Sequence, residues 1–596
     1  MFTSLRKLAH RSLRPAVAAF VTAAVLAPAL SGAAAKKAPR RDFPPTTSYT
    51  TIEGVDPEAP YSRLRFAPGW KRVIRSDLGA SPVRGRHKRR DSLVYFAQLS
   101  DFQLADEEGP ARVEALDLGG TPFTSAWRPQ EAFGPQTVDQ VIRQINRFED
   151  SPIRHRRSRH TKMAAVITTG DNADNQQANE VEWTVKLLEG GRLMPNSGVD
   201  APGCGPVGEA QRYTGVQDFG DTLESGQFYD PDRPSGPFAA WPRYPGLMDR
   251  AQRPFNTPGL KVPSYVAFGN HDGLVQGNAW ANAGFEAVST GCLKPLQSGG
   301  LGSSALFTSP DRSVLVPPDP ERRFVDRKEY MDLHVTGKQA DAHGFALVDP
   351  QETAASGGQA SYYAFAPRKG VRMISINTVA EGETIGSEGN LDDPQFRWLE
   401  RTIAAAEKAG ELVIVFGHHP IRSLTQNSTD EDVPPCDDRR TAGPGCDGDP
   451  RTSTPLHFGP DLQQLLLDHP AVIAYVAGHT HEHKITPFQR SGGAPGGFWG
   501  IETASEVDWP INSRLLEVMD NRDGTLSIFG TAIDHGGRLD APAPGKDAKG
   551  FSEEQLAAIA REFAFNDPQV GGKGKSMGGS GKPEDRNVEL LLPDPR

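Results

Sequence analysis

Residues 163–175 read Met-Ala-Ala-Val-Ile-Thr-Thr-Gly-Asp-Asn-Ala-Asp-Asn. A short apolar run closed by a Gly-Asp turn reads as a buried strand. The end of this strand is unusual, because Asp171, Asn172, Asp174 and Asn175 crowd it. The same device recurs along the chain. Leu93 to Leu99 ends in Ser100-Asp101-Phe102-Gln103, and Ser264 to Phe268 ends in Gly269-Asn270-His271-Asp272. Leu412 to Phe416 ends in Gly417-His418-His419-Pro420, and Val472 to Ala477 in Gly478-His479-Thr480-His481. Each strand delivers carboxylate, amide or imidazole groups at its C-terminal end, the edge where open α/β sheets place their sites. A single Gly-Asp pair is a turn, and a lone strand-end histidine is an ordinary hydrogen-bonded residue. A series of them is a metal-ligand constellation. Gly170, Gly269, Gly417 and Gly478 are expected to turn the backbone sharply there.

Outward from these motifs, Val371 to Asn377 adds a sixth apolar run. Helical patterns lie between the strands. The clearest runs from Pro394 to Ala409, with Asp393 as N-cap, Phe396, Leu399 and Ile403 on one face, and Gly410 as stop. Thr137 to Phe148 and Ala178 to Leu188 read as helices too. Strands alternating with helices imply a layered α/β sandwich. Arg514 to Met519 and Leu526 to Phe529, around an Asn521 to Gly524 turn, predict a hairpin. Gly- and Pro-rich insertions span Gly190 to Pro263, Asn278 to Gly358 and Ser423 to Pro460, lengths that belong to functional or disordered loops.

The domain reading is a leader at 1–35, an N-terminal extension at 36–90, a catalytic domain with insertions at 91–540, and a Gly- and charge-rich tail at 541–596 with one helical patch from Ser552 to Phe563. The basic runs Arg84 to Arg90 and Arg154 to His160 each precede a strand and read as solvated loops.

The chain has 596 residues, 37 % of them hydrophobic and 23 % charged, with net charge −10, which fits a globular protein and not a basic nucleic-acid binder. Arg6, Lys7, Arg11 and Arg14 precede an uncharged stretch from Pro15 to Ala35 that ends in three alanines. This predicts a secretory signal peptide, since its strongly apolar part, Ala16 to Ala27, falls short of the roughly 20 residues that span a bilayer. A secreted, periplasmic or cell-surface protein is expected, with no membrane span after cleavage. Cys204, Cys292, Cys436 and Cys446 agree with an oxidising compartment. Three pairings are possible, and loop closure favours Cys436 with Cys446 and Cys204 with Cys292.

In order and spacing the five motifs resemble the calcineurin-like metallophosphoesterases, over the span Asp101 to His481. The resemblance implies two stacked mixed β-sheets flanked by helices, and two bound metals. Asp101, Gln103, Asp171 and His481 would hold one metal, and Asp171, Asn270, His418 and His479 the other, with Asp171 bridging. A pair of divalent cations activates water and clamps an in-line displacement at phosphorus. Oxygen and nitrogen donors without cysteine suit Mn, Fe or Zn. His271, next to the ligand Asn270, would protonate the leaving alkoxide, and by resemblance Asp174 would orient it. His419 and His483 are assigned to the rim, and Gly389, Asn390, Gln395, Trp398 and Leu399 to packing.

Two positions depart from the family. Gln103 stands where histidine is usual, which gives a weaker and harder ligand or leaves Gln103 behind the ligands. Asp174 stands where purple acid phosphatases carry a tyrosine ligand, which argues against an Fe(III)-tyrosinate site. The expected activity is hydrolysis of a phosphate monoester or diester, on a small molecule or lipid head group. The alternatives are a nuclease and a metal-stabilised binding protein without turnover. Tyr213, Trp241, Arg243 and Tyr244 in the insertions either roof the site or form local core. Oligomeric state is not legible.

Overall fold

The computed structural model describes residues 44–112, 114–119, 125–156, 159–198, 213–218, 228–297, 312–335, 337–381, 385–427, 455–567 and 579–596. The leader and three of the four cysteines lie outside these residues. Cys292 is disulfide-bonded.

Two mixed sheets carry the fold. The first has seven strands in the order Val73–Arg75, Val588–Pro593, Thr525–Asp534, Asn512–Asp520, Asp91–Leu99, Ala165–Thr168 and Ser264–Val266. The second has six, in the order Tyr363–Arg368, Val371–Ser375, Leu412–Phe416, Val472–Ala477, Gly497–Glu502 and Lys484–Gln489. All five motif strands run parallel to their motif-bearing neighbours: Asp91–Leu99 with Ala165–Thr168 and that with Ser264–Val266, and Leu412–Phe416 with Val472–Ala477. Their C-terminal ends therefore share an edge. Side chains of both sheets enter one apolar core, and Gln98 ties them by donating to Ala477 O at 2.8 Å and accepting from Thr503 at 2.7 Å. This is the layered α/β sandwich of stacked sheets flanked by helices.

The helices follow their capping chemistry. Asp393–Lys408 is capped by Asp392, one residue earlier than the sequence suggests, whose carboxylate accepts from Gln395 N at 2.8 Å. Gly410, at φ +70°, lets the chain leave the helix. Gly134–Ile145 starts with Pro135 in its first turn, ahead of the expected Thr137. The hairpin forms as read, Asn512 pairing with Asp534 and Asp520 with Leu526.

Both ends of the chain depart from the sequence reading. Val588–Pro593 is not tail: it pairs with Thr525–Asp534, and Val73–Arg75 of the supposed extension pairs with it in turn. Val588, Leu590, Leu591 and Leu592 are buried, an apolar run that becomes a strand because the sheet offers it an edge. The helix Glu553–Asn566, capped by Ser552, is buried too. Its Phe563 packs on Phe133, Tyr229 and Trp241. Trp241 and Tyr244 of the insertion therefore belong to a second, local core, and Tyr244 is fixed by a 2.7 Å bond to Pro542 O. Arg243 donates to Asp232 O at 2.8 Å and Tyr213 to Glu107 at 2.9 Å. None of the four roofs the site.

Candidate metal centre

The strand ends converge as two sets of side chains that share one carboxylate oxygen. In the first set, Gln103 Nε2 lies 3.4 Å from both Asp171 Oδ2 and His481 Nε2, and His481 Nε2 lies 3.5 Å from Asp101 Oδ1. In the second, His418 Nε2 lies 3.2 Å from Asp171 Oδ2 and 3.2 Å from His479 Nδ1, which is 3.2 Å from Asn270 Oδ1. Asp171 Oδ2 sits at the junction. Its other oxygen accepts from the backbone N–H of His271 at 2.9 Å, which holds the carboxylate in place. All seven residues carried over as ligands are thus brought together.

The backbone at these ligands is strained. Asp101, Gln103, Asp171, His479 and His481 all take positive φ, between +42° and +71°, a region that costs non-glycine residues about 1–3 kcal/mol each. The motif glycines do a different job from the one expected. Only Gly170 takes positive φ, at +86°. Gly269 and Gly478 are there for close approach: a Cβ would fall 2.2 Å from Asp171 N in one case and 2.6 Å from Asp101 Oδ2 in the other.

Behind two of the three imidazoles stands an acceptor that selects the nitrogen facing the site. His418 Nδ1 is 2.8 Å from Thr169 O, leaving Nε2 inward. His481 Nδ1 is 2.6 Å from Asp508 Oδ2, and Asp508 is gripped by Arg128 at 2.9 Å. Asn270 Nδ2 donates to Gly277 O at 2.9 Å, which turns Oδ1 toward His479. Such outer partners fix ligand orientation and basicity.

Charge follows geometry. Burial opposes a proton on His418 and His481, but Asp171 beside the first and Asp101 and Asp508 beside the second raise both to about 9. His479 is driven well below the ordinary value by burial and by His419 and His418. Despite burial, Arg128 and His481 hold Asp508 down to about 2.

The residues fit a pair of divalent cations. Donor atoms of Asp101, Asp171 and His418 lie within 4.8 Å of one another. Gln103 Oε1 is buried with no hydrogen-bond partner, and a half-turn of the amide exchanges it with Nε2 on the ligand side. Two carboxylates, two amides and three imidazoles make an O/N donor set.

His271 leans over the junction with Nε2 at 4.0 Å from Asp171 Oδ2. Its Nδ1 is 2.7 Å from the backbone oxygen of Asp174, and the Asp174 carboxylate is farther, at 3.5 Å. The carbonyl is the orienting acceptor, and the carboxylate turns to Arg112, 2.5 Å away. Arg112 is fully buried and also binds Glu114 at 3.1 Å and Glu131 at 2.7 Å. Against burial, Arg112 and His271 hold Asp174 down to about 2. Arg112, Arg128 and Asp508 lie outside the motifs, and the sequence reading misses them. Asp508 comes after Gly497–Glu502, a strand hidden by the glycines at its start and middle, Gly497 and Gly500; reading that strand would have brought its polar end into view.

His419 and His483 are not rim residues, because both are fully buried. His419 Nε2 is 2.8 Å from Ser387 O and its Nδ1 2.8 Å from Thr378 Oγ1, while His483 Nδ1 is 2.8 Å from Arg514. Gln395 and Asn390 serve packing as read, Gln395 bonding both backbone groups of Asn377 at 2.8 Å.

No protein-family description and no curated protein matches the sequence. Among solved structures, a dimetal phosphatase from Danio rerio is similar at 11 % identity and TM-score 0.31, over 75 % of this chain and 100 % of that one. A purple acid phosphatase from yellow lupin (Lupinus luteus) seeds is similar at 10 % identity and TM-score 0.25, over 79 % of this chain and 54 % of that one. The Plasmodium protein GAP50, described as the anchor in the inner membrane complex, is similar at 10 % identity and TM-score 0.26, over 79 % and 95 %. Likenesses this distant carry no weight, and the site stands on its own geometry.

Proposed function

We propose that the chain is a metal-dependent phosphoesterase of the calcineurin-like kind, acting on phosphate monoesters or diesters. The observation that carries this reading is Asp171 Oδ2 at the junction of two ligand sets, with the His271 imidazole 4.0 Å away and not itself part of either set.

When bound, a pair of divalent cations neutralises the phosphoryl oxygens and activates the attacking water. Asp101, Gln103, Asp171 and His481 would hold one, and Asp171, Asn270, His418 and His479 the other. The protein's own part begins with His271. Because Nδ1 is turned to Asp174 O, the proton to be given away sits on Nε2, the nitrogen that faces the site. From there it goes to the leaving alkoxide, the role of a positioned general acid. Asp101, Gln103, Asp171 and His481 are at most 3 % exposed, so little water competes for them.

The test is hydrolysis of p-nitrophenyl phosphate against bis-p-nitrophenyl phosphate by stripped protein reloaded with Mn, Fe or Zn. Turnover of either ester that depends on metal supports the reading. Two metals bound with no turnover of either would make it a metal-stabilised binding protein. We also propose export through the leader, which N-terminal sequencing of the native protein checks; a start at Lys36 is expected.

A further inference from the structure

The two basic runs are distant in sequence and form one face in the fold. Arg90 donates through Nε and Nη2 to Arg154 O at 3.0 and 2.8 Å, and Arg156 N donates to Arg90 O at 3.3 Å. Asp91 between them is shared by Arg156 and Arg522, the latter at 2.8 Å from the hairpin turn. Asp520 also lies 3.5 Å from Arg522, and Arg89 pairs with Asp523 at 2.9 Å, so these guanidiniums are matched by carboxylates. Arg84, Lys88 and Arg159 are exposed and have no ion pair among the described residues. The face carries uncompensated positive charge on a chain whose net charge is −10. Beside Arg84, Val83 is exposed as well.

We propose that this face docks the protein on an anionic lipid bilayer. Clustered Lys and Arg are drawn to the negative potential of anionic lipid over about a Debye length. The apolar side chain among the cations favours a bilayer over a soluble polyanion, because Val83 gains only where there is an apolar layer to enter. The lipid source also fits a chain that crosses a membrane on export, and to that extent it rests on the export proposal. Orientation suits such a role: the strand Asp91–Leu99 starts in the basic face and ends at the metal centre. Its nine residues at about 3.3 Å each separate the two by about 30 Å, so a docked molecule leaves its site open.

The experiment is co-sedimentation of the whole chain with vesicles of neutral phosphatidylcholine and with vesicles in which about a third is phosphatidylglycerol. The readout is the ratio of binding to anionic over neutral vesicles, taken relative to that of the free leader peptide 1–35, whose Arg6, Lys7, Arg11 and Arg14 also favour anionic lipid. Wild type is expected to prefer anionic vesicles about tenfold or more at low salt and to lose the preference in high salt. R84E/K88E/R159E is expected to abolish the preference while keeping ester hydrolysis, and R84Q/K88Q/R159Q to reduce it. Equal binding to both vesicle types, or a charge-reversed variant that keeps the wild-type preference, overturns the proposal. So does retention on heparin or polyphosphate without vesicle binding. If vesicle binding is retained in a protein without hydrolysis, the docking face stands and the catalytic reading fails.

Discussion

Arg112→Met tests whether the buried ion cluster behind His271 holds the site together. The guanidinium is fully buried and meets three carboxylates, Glu114, Glu131 and Asp174, which are at most 2 % exposed. Removing one partner of a buried pair costs about 3–5 kcal/mol, because the other charge is stranded. Three stranded carboxylates do not triple this. Lys294 remains 2.7 Å from Glu114, and Asp174, held down to about 2 against burial by Arg112 and His271, is freed by the loss of Arg112 to rise toward taking a proton. The loss is therefore expected at about 3–5 kcal/mol near pH 8 and smaller near pH 5.5. The sign is that of carboxyls raised in the folded variant: stability is present at low pH and is lost as pH rises, at about 1.4 kcal/mol per pH unit for each proton. Urea unfolding of wild type and variant at both pH values measures it. Arg112→Lys keeps one charge but not three bonds and should fall between them. If Arg112→Met is as stable as wild type at pH 8, or its penalty does not depend on pH, the cluster is not what braces Asp174.

His271→Ala is expected to keep metal content near wild type and to lower turnover by about 10²–10⁴, more on alkyl than on p-nitrophenyl esters, because a poor leaving group needs the proton more; kcat and elemental analysis on the same samples decide it. Asp508→Asn should weaken the metal held through His481 by about 10–100-fold in a titration of stripped protein, since it removes the carboxylate 2.6 Å from Nδ1. Gly277→Ala should cut activity while the fold survives, because its Cβ would sit 2.5 Å from both His271 Nε2 and Asn270 Nδ2; wild-type kcat would show that this space is not used. Glu517 is raised to about 7 by burial, against hydrogen bonds from Ser151 and Ser92. Stability it lends below about pH 4.5 should fade by about 3 kcal/mol as pH rises to 7, and Glu517→Gln should flatten that part of the pH–stability curve.

What could be read from the sequence and what could not divides along a physical line. Strands buried on both faces announce themselves as apolar runs, and Leu412–Phe416 and Val472–Ala477 appear with the bounds the sequence suggests. Polar residues at the ends of such strands are legible for the same reason, and the resemblance to the calcineurin-like metallophosphoesterases picks Asp101, Asp171, Asn270, His418, His479 and His481 out of them as candidate ligands. Val73–Arg75 and Val588–Pro593 lie toward the sheet's rim, and short runs beside charged or Gly-rich stretches look like tail until an edge is there to receive them. Arg112, Arg128 and Asp508 have no periodic signal at all. Their role exists only through contacts that the fold makes, such as Arg112 with Asp174, 62 residues on, and Arg128 with Asp508.

The motif glycines mislead for a more instructive reason. A glycine beside a ligand suggests that the glycine turns the chain, yet at Gly269 and Gly478 it is the neighbouring ligand loop that needs the room, and it is the ligands themselves that take the left-handed conformation. Five non-glycine residues held there cost on the order of 5–15 kcal/mol in sum, a load the local sequence does not offset. It is offset by what surrounds them: Asp101 Oδ1 accepts from His479 N at 3.0 Å, Asp171 Oδ1 from His271 N at 2.9 Å, and Gln98 ties the two sheets that carry the loops by donating to Ala477 O at 2.8 Å. Positive φ at five of the seven candidate ligands and at no residue of their flanking strands suits preorganisation of a metal centre, because donors already bent toward one point need not move when a cation arrives. On that ground, replacing a strained ligand by glycine, as in Asp101→Gly, would relieve backbone strain while removing a donor, so such a variant should fold at least as stably as Asp101→Ala yet bind metal no better.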